Sequence, residues 1–418
     1  MPTLASPFAN LMARAGPRLQ VVGAFRSRNY RIYWAGFLTS IIGWQIQAVA
    51  LGWLVLERTN SPLYLGLVSA SQAVATIALS LLGGVIADRV DRRRLLVFTQ
   101  IGAFLCSFAI ATLVLLGVVQ LWHLLVIAFI FGSLQAFDQP TRQALIPHLV
   151  ERPQLMNAIA LGSAVWQGSR IIGPTVAGLL LQFVGTAACF YVTAAGFLVM
   201  VAALLSLRFQ DQAPAAVRRG SMAGDLAEGL RYIWTNSLFL LLIGMTFFNS
   251  LFGMSYVVLM PLFARDVLEV GPQGLGYLLS ASGIGALTGT LVVSGMGGIR
   301  HKGLLIGVAA TAFGLLLIAF SQSRWLPLSL GLLGVMGATF SVYMISINTA
   351  LQSAVPDQLR GRVMGVYSLT WSLMPLGGMQ AGAVANFAGA PAAVALGGSL
   401  VALLALWALA FQRRLRTI

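Results

Sequence analysis

Residues 84–94 read Gly84-Val-Ile-Ala-Asp88-Arg89-Val-Asp91-Arg92-Arg93-Arg94, a short basic turn between two long apolar runs. Basic residues beside membrane helices stay on the cytoplasmic side, so this hairpin orients the runs that flank it, and the same rule can be followed outward along the chain. A membrane-crossing helix needs roughly 20 apolar residues at about 1.5 Å of rise each. Twelve runs meet this length, approximately 31–57, 64–88, 95–118, 122–146, 155–183, 187–207, 237–264, 273–297, 303–321, 325–352, 361–385 and 390–411. The seven loops and tails on the hairpin side carry 5, 4, 2, 4, 2, 2 and 3 Lys or Arg residues, 22 in all. The five opposite loops carry Arg58, Arg265 and Arg324, and the remaining arginine, Arg170, lies inside a run. The expected fold is an all-α membrane protein of twelve transmembrane helices with both ends inside.

Composition agrees. A chain that is 58% hydrophobic and 9% charged lacks the roughly one-quarter charged residues of a soluble surface, so lipid must be its solvent. The net charge of +15 records topology and not nucleic-acid binding, because the arginines sit in short loops and form no basic face. No apolar core with a small-residue cleavage site precedes the first run, which is expected to stay as an anchor. Cys106 and Cys189 lie in or beside apolar runs and are expected to be packing residues.

The longest connection, 208–236, divides the chain into a tail (1–30), a first bundle (31–207), a linker (208–236), a second bundle (237–411) and a closing tail (412–418). Within the linker, Leu226, Leu230, Ile233 and Trp234 share one helical face, the pattern of a short helix lying on the inner membrane surface. The halves echo each other. Arg142-Gln-Ala-Leu145 with Pro147 and Glu151 matches Asn348-Thr-Ala-Leu351 with Pro356 and Asp357, and Ala144 and Ala350 are 206 residues apart. Such pseudo-symmetric six-helix bundles are the mark of transporters that rock about a site near the midplane.

The hairpin matches G-x-x-x-D-R-x-x-R-R, and with twelve runs in two halves the chain resembles the Major Facilitator Superfamily over essentially its whole length. That resemblance implies an inner gate of Gly84, Asp88, Arg89, Arg92 and Arg93: the glycine permits close packing, Asp88 caps span 11 near Gly361, and the arginines clamp the inner face on acids or carbonyls. The second half has only Gly295-Met-Gly-Gly-Ile-Arg300-His-Lys302, without the aspartate. In span 5, Ser169-Arg170-Ile-Ile-Gly173-Pro174-Thr-Val-Ala177-Gly178 is similar to the G-x-x-x-G-P-x-x-G-G motif of the superfamily's proton-antiporting exporters, with Ser and Ala at two glycine positions. Gly173, Pro174 and Gly178 would act there as hinge or seal, or simply as close-packing residues. The stretch Asp138-Gln-Pro140-Thr-Arg142-Gln143-Ala-Leu-Ile-Pro147, then Asn157-Ala-Ile-Ala160 and the opening Phe25-Arg-Ser-Arg28-Asn29-Tyr30-Arg31, resembles the branch of bacterial enterobactin-type siderophore exporters and macrolide efflux pumps. The resemblance implies a monomer in the bacterial inner membrane.

Charges deep in lipid cost roughly 3 kcal/mol or more each and so face a cavity or a partner. Asp138 and Arg170 are the candidates. Gln135, Asp138, Gln139 and Arg142 form one stripe on span 4, and Ser163, Gln167 and Arg170, beside Trp166, form another on span 5. Asp138 lies roughly 12 Å from the inner end of its helix and Arg170 roughly 22 Å from the start of its own. Two pairings stay open, Asp138 with Arg142 one turn away and Asp138 with Arg170 through a long reach or a water. Either way, an arginine favours the ionised carboxylate and desolvation the protonated one, so a movement that separates the pair would exchange a proton. Asp138, Arg142 and Arg170 are therefore the proton-coupling candidates. Gln45, Gln47, Gln135, Trp166, Gln167, Asn249, Tyr256, Tyr343, Asn348 and Trp371, with Tyr367 beside the last, are candidates for the substrate cavity, each with helix packing as the plainer role.

No G-x-x-x-x-G-K-[ST] loop occurs, and Lys302 is the sole lysine, so a proton gradient and no bound cofactor is the expected energy source. His123, His148 and His301 stand singly, without metal-ligand spacing or a nucleophile-base cluster, which argues against an enzyme. The expected function is export of a bulky amphipathic small molecule in exchange for protons. Uptake by the same fold and a non-transporting scaffold are the alternatives.

Overall fold

The computed structural model describes residues 23–208, 222–295 and 302–412. Every regular element among them is helical. In the first half these are α1 (Arg28–Thr59), α2 (Pro62–Arg89), α3 (Arg92–Leu115), α4 (Leu121–Leu145), α5 (Leu155–Phe183) and α6 (Thr186–Ser206). After α7 (Met222–Thr235) come α8 (Ser237–Phe248), α9 (Tyr256–Leu262), α10 (Gly271–Gly295), α11 (Lys302–Gln322), α12 (Leu326–Ala354), α13 (Arg360–Ser372) and α14 (Met374–Phe411).

Local chemistry sets the ends. Ser27 accepts a hydrogen bond from Tyr30 N at 3.3 Å to start α1, and Asn60, with φ of 50°, closes it. Within the basic hairpin, Asp91 accepts from Arg94 N at 2.8 Å and so caps α3. A π turn at Asn249–Gly253 follows α8, and a second at Phe263–Val267 follows α9, so the expected seventh run is an interrupted helix. The last two runs meet at Gly389, whose φ of 84° turns the chain inside α14.

Among the described residues, ten helical segments are long and apolar enough to cross a membrane. The remainder of the expected twelve have physical explanations. Asn157, Gln167 and Arg170 dilute the apolar character of α5, which is not among the ten, and Arg360–Phe411 counts as one segment despite the turn at Gly389.

In the first half α1 packs on α5 and α6, α3 on α4 and α6, and α2 on α4. In the second half α10 packs on α12, and α11 on α12 and α14. The pairs α2–α4 and α10–α12 thus occupy matching places. Between the halves run two long seams, α5 with α10 and α2 with α14. One end of the bundle, here the basic end, carries the Arg92–Arg94 hairpin and the start of α1; the far end carries Asn60, Gly185, Gly271 and Gly389. Linker helix α7 docks on α13 through Glu228 and Arg362, 2.6 Å apart, and buries Ile233 in the second-half core while Leu230 and Trp234 stay exposed.

Candidate functional site

The buried polar centre lies on α4. Asp138 and Arg142, one turn apart, are 8% and 7% exposed and form an ion pair through Arg142 Nε and Asp138 Oδ2. Asp138 Oδ1 accepts hydrogen bonds from Thr99 Oγ1 at 3.0 Å and Gln100 Nε2 at 2.7 Å. Arg142 Nη2 donates to Ser40 Oγ at 3.2 Å, and Ser40 donates to Gln100 Oε1 at 3.0 Å, which closes the circuit across α1, α3 and α4. The Arg142 guanidinium also lies 5.2 Å from the centre of the Phe37 ring. Both carboxylate oxygens are thereby occupied, as a charge this deep requires.

Pro140 sits between the two charged residues inside α4. Lacking an N–H, it leaves the carbonyl of Ala136 without its helical partner. Ala136 O lies against Gly83 of α2, where a β-carbon would come within 2.1 Å. A side chain at position 83 would push apart the helix pair that carries the site.

Beside the ion pair opens a cavity of about 440 Å³. Its walls come from the first half: Tyr30, Tyr33, Phe37 and Trp44 of α1, Thr99 and Gln100 of α3, Phe131, Gln135, Gln139 and Gln143 of α4, Ser163 and Trp166 of α5, and Phe197 of α6. Because Tyr30, Pro147 and Leu155 also line it, the cavity reaches the basic end. Trp166 meets both Phe37 and Trp44 edge to face, with ring centres 6.5 and 5.7 Å apart. Tyr33 Oη and Arg142 Nη1 are buried together here.

Of the candidates from the sequence, Asp138, Arg142, Gln135 and Trp166 meet at this cavity. The open question of pairing resolves in favour of Arg142. Arg170, half-buried, is instead the charged neighbour of Tyr256 across the seam between the halves. Gln45 and Gln47 both turn away from the cavity: Gln45 packs on Gly173, and Gln47 accepts from Ser107 Oγ at 2.7 Å beside a void of about 40 Å³. Trp44, between them on the helix surface, takes the cavity-facing position. Gln167 is half-buried and is not among the cavity-lining residues.

The second-half candidates form a packed group of their own. Asn249 and Tyr343 border a void of only about 10 Å³. Asn348 accepts from Gln352 at 2.5 Å, Trp371 meets Phe340 and Tyr367 edge to face, and Tyr256 Oη lies 3.2 Å from Ser282 Oγ. Residues the sequence reading passed over include Tyr30, Tyr33, Phe37 and Trp44, whose spacings of three, four and seven mark one face of α1, and Thr99-Gln100, a polar pair inside the apolar α3.

The span-5 motif forms the far-end seam. Gly178 meets Gly276 of α10, where a β-carbon at Gly276 would lie 2.5 Å from Pro174 O, and Thr175 pairs with Ser280 at 2.7 Å. Arg265 adds bonds to Leu56 O at 3.1 Å and Asn60 Oδ1 at 2.8 Å, so the halves are closed together at this end. In the hairpin, Arg93 donates to Leu204 O at 2.7 Å and Leu205 O at 2.5 Å, and Arg92 contacts His148. These arginines bind carbonyls and neighbours of their own half, at the end where the cavity opens. The surroundings of Gly84, the side chains of Asp88 and Arg89, and the second-half stretch 296–301 lie outside what the structure describes.

A family model described as transmembrane secretion effector matches residues 21–418. The multidrug efflux pump Tap of Mycolicibacterium fortuitum is 31% identical over 364 residues, covering 84% of this chain and 88% of that protein. The staphyloferrin A transporter of Staphylococcus aureus is 25% identical, covering 82% and 86%. Among solved structures, the nucleoside transporter NupG superposes with a TM-score of 0.71 at 14% identity over 92% of this chain and 99% of that one, a likeness of fold alone.

Proposed function

The chain belongs to the transmembrane secretion effector family of major facilitator transporters, a multi-pass bacterial inner-membrane protein, and on that premise we propose that it exports a bulky amphipathic small molecule, drug-, macrolide- or siderophore-like, in exchange for protons. Twelve crossings with both ends in the cytoplasm complete the reading. The basic end then faces inward, the cavity is loaded from the cytoplasm, and the α5–α10 seam is the closed outer gate.

The observation that carries this reading is the Asp138–Arg142 pair at the wall of an aromatic cavity that reaches one end of a bundle sealed at the other. Thr99, Gln100 and Ser40 hold the pair from α1 and α3. A movement of α1 and α3 against α4 within the first half, coupled to the opening and closing of the seams, loosens the pair, letting Asp138 take a proton from outside and release it inside. The aromatic walls bind the apolar body of the substrate, and the amides and Ser163 its polar groups. A susceptibility and accumulation screen in cells lacking their own pumps tests this. At least one bulky compound should accumulate less when the chain is expressed, and a proton-gradient collapser should erase the difference. Export that persists after collapse would contradict the coupling.

A further inference from the structure

The cavity is lined by two charged residues, and they cancel. Asp138 spends both oxygens on Arg142, Thr99 and Gln100, and the Arg142 guanidinium is covered by Phe37. What a bound molecule meets is therefore aromatic surface and the amides of Gln135, Gln139 and Gln143, four residues apart along one face of α4. We infer that this cavity selects for uncharged aromatic or macrocyclic molecules bearing carbonyl or amide groups, that it discriminates against permanent cations, and that Arg142 is the residue that sets this charge rule. The inference rests on the cavity being the substrate site.

A cation gains from a carboxylate in a low-dielectric wall only if that carboxylate has charge to offer. Here the arginine one turn away has already taken it, and a cation would lose hydration without compensation. Removing one partner uncovers the other. Without Arg142 the wall carries an excess negative charge, and without Asp138 an excess positive one.

The test uses the purified full chain and the quenching of Trp44 and Trp166 by three probes of similar bulk: triphenylphosphine oxide (neutral), tetraphenylphosphonium (cation) and tetraphenylborate (anion). The native chain should bind the neutral probe at least about tenfold more tightly than the cation. Arg142→Gln should raise cation affinity at least about tenfold, and Asp138→Asn should do the same for the anion. The double variant Asp138→Asn/Arg142→Gln, free of any unpaired buried charge, should return the native ranking, and it decides the matter if a single variant fails to fold. Equal binding of cation and neutral probe by the native chain, or a ranking unmoved by the single variants, overturns the charge rule. A neutral probe that quenches neither the native chain nor the double variant, or quenches undiminished after Gly162→Trp fills the cavity, overturns instead the placement of the substrate here.

Discussion

Asp138 of α4 and Met344 of α12 stand at matching places in the two halves, as do Arg142 and Asn348 when Ala144 is set on Ala350. Around the first pair α1, α3 and α5 stand back and leave about 440 Å³, whereas the second-half void beside Tyr343 is about 10 Å³, room for one water. Charge explains the difference. An ion pair must bring hydrogen-bond partners from several helices, and polar groups gathered in this way cannot interdigitate as Tyr343, Ile347, Val363 and Tyr367 do in the second-half core. Pro140 contributes as well, since it frees a carbonyl in α4 and α12 has no proline at the matching place, Ser346. One bundle encloses a cavity, and the other packs tightly around its matching residues.

That contrast can be broken by filling each half. Gly162 borders the cavity, and a β-carbon there meets nothing within 4 Å. Gly162→Trp should cut export at least about tenfold with folded yield unchanged, because a tryptophan takes up much of a pocket this size. Ser368→Trp, 206 residues on, should change export by less than about twofold; equal loss in both, measured as cellular accumulation, would defeat the asymmetry. Next in size is the seam. Gly276→Val forces a side chain against Pro174 O, and overpacking of about 1–3 kcal/mol should move the balance of states toward an open far end. A cysteine placed at Ser61 should then label several-fold faster with an impermeant thiol reagent, and unchanged labelling would remove the seam as a gate. Arg93→Ala loses two bonds to the end of α6 and should cost about 1–2 kcal/mol of stability in denaturant titration. Smallest is Glu228→Ala. Its half-exposed pair with Arg362 is worth about 0.2–1 kcal/mol, so thermal unfolding should fall by only a few degrees, and a collapse of the second half would show α7 to be structural.

The long apolar runs, the basic hairpin, the polar stripe on α4 and the linker helix were legible in the sequence, since each depends on local period or charge. The stripe displayed Asp138 and Arg142 on one face, and the i, i+4 pairing competed with Arg170 until the helices were placed. What stayed hidden was which mid-span polar residues face a void. Gln45 and Gln47 look alike in the sequence, yet one packs on Gly173 and the other bonds Ser107, partners that lie 128 and 60 residues away. Asn249, Tyr343 and Trp371 were similarly indistinguishable from cavity residues, because the placement of neighbouring helices decides whether a mid-span side chain borders an open cavity or is packed over. The aromatic face of α1 was visible as a spacing but blended into a uniformly apolar run.

We assign the proton-linked step to Asp138. Its most direct test is export of a compound found in the screen, measured in inside-out vesicles under an imposed proton gradient for the native chain and Asp138→Asn. Gradient-driven transport should fall to background in the variant while the compound still binds. Gradient-driven transport at the native rate in Asp138→Asn would contradict it.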